Sequence, residues 1–490
     1  MRRGLYAALV AVGGLVVACK NDLTIPNFNN PTPTSIAADP SSIEFAARGI
    51  LFQNRATYGG FISDVGIFGR ESYNYFPTDA RSVSHYLAQN PLDPAGFASG
   101  GWNPRYQTMR NIFNFIQAVN ATRFNVNEAT NTAQKEAAIG WAETFEALEL
   151  YYLITQRHNF GIVVQILPDV KQIAPFVSRD SAWNYIAGRL NEAANHLKAG
   201  SSVDFPFALT EGFTRFGNFA TPSGFLKFNR GLKARVDITR ASLRNPACGA
   251  NGVGCYQSAL SALDSSFISL NVADLNVGVY HVFSTEAGDI RNPLNAEVTK
   301  DFLAHPSITT DAAPGDKRYA AKIRQLPSPR GPSGGSRNGI QTNVGFQIYS
   351  NQTSPAPIMR NEELILIRSE ARWFTGNKAG AISDLNFIRQ NSGGLGPTSL
   401  TTGSTDAQYI AALLYERRYS LLWEGHRWAD VRRFDNQGGV NWLNTLPLDL
   451  PTFFRQLQMP VPQAECDFRN RVAKGQPGLV CPTGPTGPTS

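Results

Sequence analysis

In nine stretches of this 490-residue chain, apolar residues recur three and four positions apart, the spacing that lines one face of an α-helix. The spacing is interrupted by turns rather than by strand-like alternation. Asp39-Pro40 opens the first such stretch, with Ala46, Ala47, Ile50 and Leu51 on one face; an aspartate cap and a proline in the first turn suit a helix start. Further stretches run over residues 106–121, 134–155, 178–199, 225–243, 256–267, 362–374, 378–390 and 406–423. Neighbouring helices with short links fold back on one another, so the pattern predicts a mainly α chain built from helix pairs. Ala371/Phe374 and Ala381/Leu385/Ile388 across Thr375-Gly376-Asn377 give the small-to-large packing of a tetratricopeptide hairpin. Only Gly161 to Leu167 reads as a strand.

Composition sharpens what this scaffold carries. Hydrophobic residues make up 42% and charged residues 17%, enough apolar material for a large core and too little charge for a disordered chain. The net charge of +7 is a mild bias, with the densest basic run interleaved with Glu424 and Asp430, so no nucleic-acid groove is implied. Glycine (43), proline (30), phenylalanine (30) and tyrosine (16) are abundant, and helical spacing fails in two Gly- and Pro-bearing stretches with aromatic residues, at about 58–105 and 270–350. These two stretches read as long loops bearing exposed aromatic rings beside polar groups. Flat rings stack on the apolar faces of a sugar or peptide while polar neighbours fix its orientation. The candidate ligand residues are Tyr73, Tyr75, Arg81, Tyr86 and Trp102 in the first stretch and Tyr280 and Phe283 in the second; the competing reading is a small core inside each loop.

Met1-Arg2-Arg3-Gly4, an apolar run from Leu5 to Val17, and Ala18 directly before Cys19 form a secretory signal too short to span a bilayer. The Val16-Val17-Ala18-Cys19 junction resembles a bacterial lipobox, which implies cleavage after residue 18 and lipidation of Cys19, and hence a body tethered to a membrane. The other four cysteines fall into two local pairs, Cys248/Cys255 and Cys466/Cys481. Two disulfides suit an exported chain, whereas zinc would favour a Cys-x-x-Cys or a nearby histidine. The Pro/Gly-rich tail over residues 471–490 reads as flexible.

Catalytic and cofactor signatures are sparse. The six histidines form no His-Glu-x-x-His, and the chain has neither a Gly-x-Ser-x-Gly elbow nor a phosphate loop, so no cofactor and no metal are expected. His426 and Asp430 stand four apart, but their neighbours Trp423 and Trp428 favour a packed surface over a metal site.

Arg360-Asn-Glu-Glu-Leu-Ile-Leu-Ile-Arg-Ser-Glu-Ala-Arg372, Ala381-Ile-Ser-Asp-Leu-Asn-Phe-Ile-Arg389 and Tyr415-Glu-Arg-Arg-Tyr-Ser-Leu-Leu-Trp-Glu-Gly-His-Arg-Trp-Ala-Asp-Val-Arg-Arg433 resemble the C-terminal signature of the SusD/RagB nutrient-binding lipoproteins. Met459-Pro-Val-Pro462, Ser178-Arg-Asp180 and Leu232-Lys-Ala-Arg235 extend the likeness. The resemblance implies one α-helical domain over 37–470 with four tetratricopeptide-like helix pairs, entered by a lipid-anchored tether over 19–36. It also implies an outer-membrane protein, exposed at the surface, that captures a glycan, oligosaccharide or peptide without catalysis and delivers it to a SusC-like TonB-dependent transporter. A surface-anchored polysaccharide hydrolase and a helical scaffold for envelope assembly are the alternatives. The signature residues Glu416, Arg417, Arg418, Glu424, His426, Arg427, Trp428, Asp430 and Arg432 read as a structural ion-pair set tying the last helices together.

Overall fold

The structure, a computed structural model, describes residues 40–75, 81–295, 302–330, 340–473, 476 and 478–487. The signal segment, Cys19 and the tether lie outside these residues. Helices dominate: α1 (Pro40–Phe68), α2 (Trp102–Ala121), α3 (Glu128–Arg157), α4 (Arg179–Ala199), α5 (Pro222–Ser242), α6 (Val253–Asp264), α7 (Asn361–Phe374), α8 (Lys378–Asn391), α9 (Asp406–Ser420), α10 (Arg427–Arg433) and α11 (Gln463–Ala473). Consecutive helices pack as four pairs, α1/α2, α3/α4, α5/α6 and α7/α8, and each pair packs on the next. A stack of such hairpins buries a continuous core that no single pair could bury alone.

Local chemistry fixes where these helices begin and how closely they approach. Asn127, Ser178, Thr221, Asn377 and Thr405 each accept a hydrogen bond from a first-turn N–H, and Thr405 with Gln408 closes a reciprocal capping box, satisfying donors the helix itself leaves open. Gly140 lets α3 and α4 touch: a Cβ there would lie 2.8 Å from Leu197 N and 2.7 Å from Ala193 O. The C-terminal helices enclose a second apolar cluster, in which the Trp373 and Tyr409 rings stack 4.2 Å apart.

Both predicted loop stretches differ from expectation. The first helix does not stop at Tyr58: it continues through Gly59-Gly60 to Phe68, because Tyr58, Phe61, Ile62 and Val65 keep its buried face unbroken. The second stretch contains β4 (Gly278–His281), β5 (Phe302–Ala304), β6 (Ile323–Arg330) and β7 (Thr342–Phe346), besides short helical turns. Strand β1 (Ser72–Asn74) belongs to the first stretch and pairs antiparallel with β5, Ser72 opposite Ala304, in a sheet of order β1-β5-β7-β6. The two stretches are therefore sewn together. Strand β4 pairs with β8 (Ala356–Arg360), which leads into α7, while β2 (Ile162–Val163) and β3 (Phe176–Val177) form a small hairpin.

Disulfides join Cys248 to Cys255 and Cys466 to Cys481. Within the tail, residues 478–487 run against the body. Thr486, 1% exposed, takes hydrogen bonds from Leu457 N (2.7 Å) and Gln458 N (3.0 Å) at its carbonyl and from Leu92 N (2.7 Å) at its hydroxyl. Gly478 accepts another from Phe176 N. Backbone pairing to remote segments holds it, and no local pattern announces that. No helix among the described residues is long and apolar enough to cross a membrane.

Candidate ligand-binding clefts

The aromatic candidates are not exposed. Tyr73, Tyr75, Tyr86, Trp102, Tyr280 and Phe283 lie between 1% and 7% exposed: Tyr73 on β1 is covered where β1 pairs with β5, Tyr86 stacks on Phe68, and Tyr280 lies on β4 paired with β8. Tyr73 donates to Asp449, which His305 also contacts, and its ring lies 5.4 Å from that of Tyr75. Trp102 packs on Tyr106 and beneath the Arg157 guanidinium, 5.4 Å from the ring. Arg81 is exposed, with its guanidinium 4.8 Å above the Phe97 ring. The candidates thus disperse: Tyr280 reaches one cleft, Tyr86 another and Trp102 a third, while Tyr73 and Tyr75 sit in the core.

The first cleft, of about 770 Å³, runs between residues 48–55 in the middle of α1, the 208–213 segment and the 280–289 segment. Its floor is apolar, with Leu51, Phe145, Phe213 and Ile358, and its rim carries Arg48, Gln53, Arg55, Glu211 and Asp289. Phe52 stands 38% exposed at its edge. Arg55 organises this corner: it pairs with Asp289, donates to Val282 O (2.6 Å), and places its guanidinium 5.5 Å from the Phe52 ring and 5.9 Å from that of Phe283. Tyr280 lines the wall with its hydroxyl donated to Asn276 O (2.8 Å). Beneath, buried His281 is pushed down to about 3 by desolvation and by Arg55 and Arg105, so it is neutral at physiological pH. Phe52 and Arg55 escape a search confined to loops. The usable signal is that Arg48, Phe52 and Arg55 follow helical spacing on the side of α1 away from Ile43, Ala47 and Ile50.

A second cleft, of about 250 Å³, lies further along α1 and is lined by Gly59, Gly60, Ser63, Asp64, Asn74, Ser82, Tyr86, Phe97, Pro293 and Phe302. Asp64 is its half-buried acid: Tyr86 Oη donates to Oδ1 (2.8 Å) and Gln156 Nε2 to Oδ2 (3.1 Å). Desolvation raises its pKa to about 6 against the opposing pull of Tyr86 and Arg157. A third cleft, of about 270 Å³, is bounded by Trp102, Tyr106, Arg110, Gln165, Phe468 and Arg469.

The signature residues lie elsewhere, in the scaffold. Glu416 receives Arg318 (2.5 Å) and Arg389 (2.8 Å); Asp430 receives Arg417 (2.7 Å) and Arg433 (3.0 Å); Glu424 receives Arg360 (3.0 Å); Arg418 reaches Asp311 (2.6 Å). Nearby arginines hold the Asp430 carboxyl down at about 2 despite its burial. His426 lies 4.0 Å from Glu363, and Trp428 donates to Gln456 O. Two residues depart from the ion-pair expectation. Arg432 spends its guanidinium on the carbonyls of Trp428, Leu457 and Thr155 and stacks 3.6 Å over the Trp428 ring. Half-buried Arg427 has no carboxylate within salt-bridge distance among the described residues, and its Nε has no hydrogen-bond partner there. Among the described residues no group of three or more His, Cys, Asp or Glu converges to hold a metal.

Residues 334–470 match the SusD family model, SusD_RagB. No curated protein sequence matches the chain. Its fold is shared by solved structures of low sequence identity. A SusD superfamily protein from Bacteroides vulgatus superimposes with a TM-score of 0.61 at 16% identity, over 88% of this chain and 97% of that one. NanU of B. fragilis gives 0.58 at 14%, over 94% and 100%, and surface glycan-binding protein A from Bacteroides uniformis gives 0.58 at 14%, over 81% and 88%. The family match thus falls on the C-terminal signature, and the fold along nearly the whole chain is that of solved SusD superfamily structures.

Proposed function

We propose that this protein captures an oligosaccharide at the first cleft on α1 and does no chemistry on it. The observation that carries the reading is the composition of that cleft: an exposed phenylalanine ring and an apolar floor beside two arginines, a glutamine and two carboxylates. Rings and aliphatic walls suit the C–H faces of a sugar, and fixed hydrogen-bonding groups at the rim suit its hydroxyls. Similar structures bearing the names putative sugar binding protein and surface glycan-binding protein support the same class of ligand. In this reading Cys19 is the lipid anchor, the protein sits on the outer membrane at the cell surface, and a SusC-like TonB-dependent barrel receives the glycan.

Two measurements test it. Glycan-array and calorimetric binding with the soluble body should give saturable affinity for at least one oligosaccharide class, with no reducing ends released on long incubation. Affinity purification from a mild-detergent envelope extract should recover a TonB-dependent barrel. Release of products would replace capture with hydrolysis, and recovery of assembly factors alone would replace the transporter partner with a scaffold role.

A further inference from the structure

The first and second clefts share a wall, and the wall is regular. Arg48, Gly49, Phe52 and Gln53 line the first; Gly59, Gly60, Ser63 and Asp64 line the second. Each member of the second set lies eleven residues after its counterpart in the first. Eleven residues of α-helix are within about 20° of three full turns and advance about 16 Å, so both sets occupy the same face of one continuous helix. The opposite wall is shared too, because Val282, Gly288 and Asp289 of the first cleft and Pro293 of the second belong to one segment. That segment is held at both ends: Arg55 takes Val282 O, and Asn292 and Asn295 donate to Ser354 O and Tyr349 O, each at 2.7 Å. Between the clefts the Pro293 ring rests directly on Gly59, where any Cβ would collide with it. At Gly49 and Gly60, in contrast, a Cβ would meet nothing within 4 Å, so each cleft has a bare stretch of helix facing open space.

From this repeated geometry we infer that the two clefts are parts of one extended site for a linear, uncharged oligosaccharide lying along α1, with separate sugar units in each cleft and the intervening units against the Pro293 ring. The inference rests on the glycan-capture reading of the first cleft. The chemistry of the two ends differs. Phe52 offers a ring at one end, whereas the other offers Asp64 for sugar hydroxyls beside Phe97, 39% exposed with the Arg81 guanidinium over its ring. Tyr86 and Gln156 fix the Asp64 carboxylate from behind, leaving it to accept hydroxyl protons from the cleft and to repel an acidic sugar. A span of about 16 Å exceeds one or two sugar units and matches roughly five residues of an extended peptide, so chain length becomes the readable quantity.

Calorimetric titration with malto-, cello-, xylo- and mannooligosaccharide series, each from two to eight units, tests this. For the series that binds, affinity should rise at least about tenfold between the shortest members and those long enough to reach the second cleft, then level off, as joining two weak contacts on one ligand requires. Gly60→Leu, which adds a good helix former into open space, should abolish the rise without lowering the melting temperature. Affinity independent of length, or a rise that survives Gly60→Leu, would overturn the extended site while leaving capture at the first cleft intact. Failure of every series and of the glycan array together would overturn capture itself and this inference with it.

Discussion

Arginine and aromatic side chains do opposite work in two parts of this molecule. Around α7, α9 and α10 most are buried and matched, Arg427 excepted: Arg433 holds Glu370 and Asp430, Arg360 holds Glu362 and Glu424, and Arg235 holds Glu363. Along the outer face of α1 they are partly wet, with Phe52 exposed and Arg48 paired, among the described residues, with its helix neighbour Glu44. A buried charge without its partner is costly, so the first region has one solution and tolerates little change. Exposed pairs hold little energy, so the second region can change its side chains and keep its fold. What separates scaffold from site is the completeness of pairing, and residue type alone carries no such information.

The sharpest way to break this contrast is Arg433→Ala, which strands Glu370 and half of Asp430 in the core. A loss of about 3–5 kcal/mol is expected, seen as a lower denaturation midpoint, while the folded fraction binds glycan normally. Retained stability would remove the distinction between the regions.

Glu71, at the seam between them, should respond to pH. It is buried, accepts from Trp423 N at 3.3 Å, has one oxygen without a partner among the described residues, and has its pKa raised from 4.5 to about 7 mainly by desolvation. The folded state therefore keeps a proton that the unfolded chain has released, so this group's contribution to stability is full below about pH 4.5 and is lost as pH climbs toward 7. Glu71→Gln should stabilise the fold more at pH 8 than at pH 5, by up to about 3 kcal/mol in unfolding free energy. An equal gain at both pH values would refute the shift.

Smaller effects refine the contrast. Phe52→Ala should weaken oligosaccharide binding about tenfold, the order of one aromatic contact, with an unchanged melting temperature; a drop in stability would make Phe52 part of the core. Arg427→Ala should cost less than about 1 kcal/mol, because this signature arginine, its pKa lowered to about 10 by burial, lacks the carboxylate its neighbours have. A loss as large as that of Arg433→Ala would show a partner in the folded protein that its geometry does not display.

The scaffold was legible in the sequence because helical spacing is local: Ile112, Phe115 and Val119 announce α2 without knowledge of anything else. The clefts were not. Tyr73 and Tyr86 sit in Gly- and Pro-rich surroundings that resemble exposed loops, and contacts remote in sequence bury them: Tyr73 lies on the strand paired with 302–304, and Tyr86 stacks on Phe68. Gly59-Gly60 reads as a helix break, yet the helix continues because packing on both sides outweighs the roughly 1 kcal/mol that each glycine costs. Phe52 and Arg55 pass for the solvated face of an ordinary amphipathic helix, and what makes that face a wall is the 280–293 segment opposite. The ties of Thr486 are illegible for the same reason, since its partners Leu92, Leu457 and Gln458 lie far from it along the chain.

Because α1 is one uninterrupted rod from Pro40 to Phe68, it behaves toward anything lying on it as an indexed rail. Inserting a single residue near Ala56 would swing every later side chain by about 100° and turn Ser63 and Asp64 out of their cleft. Inserting or removing seven would nearly restore the facing and move the stations about 10 Å apart or together. Variation in such a protein is quantised: substitutions retune a station, and only whole pairs of turns reset the distance between them.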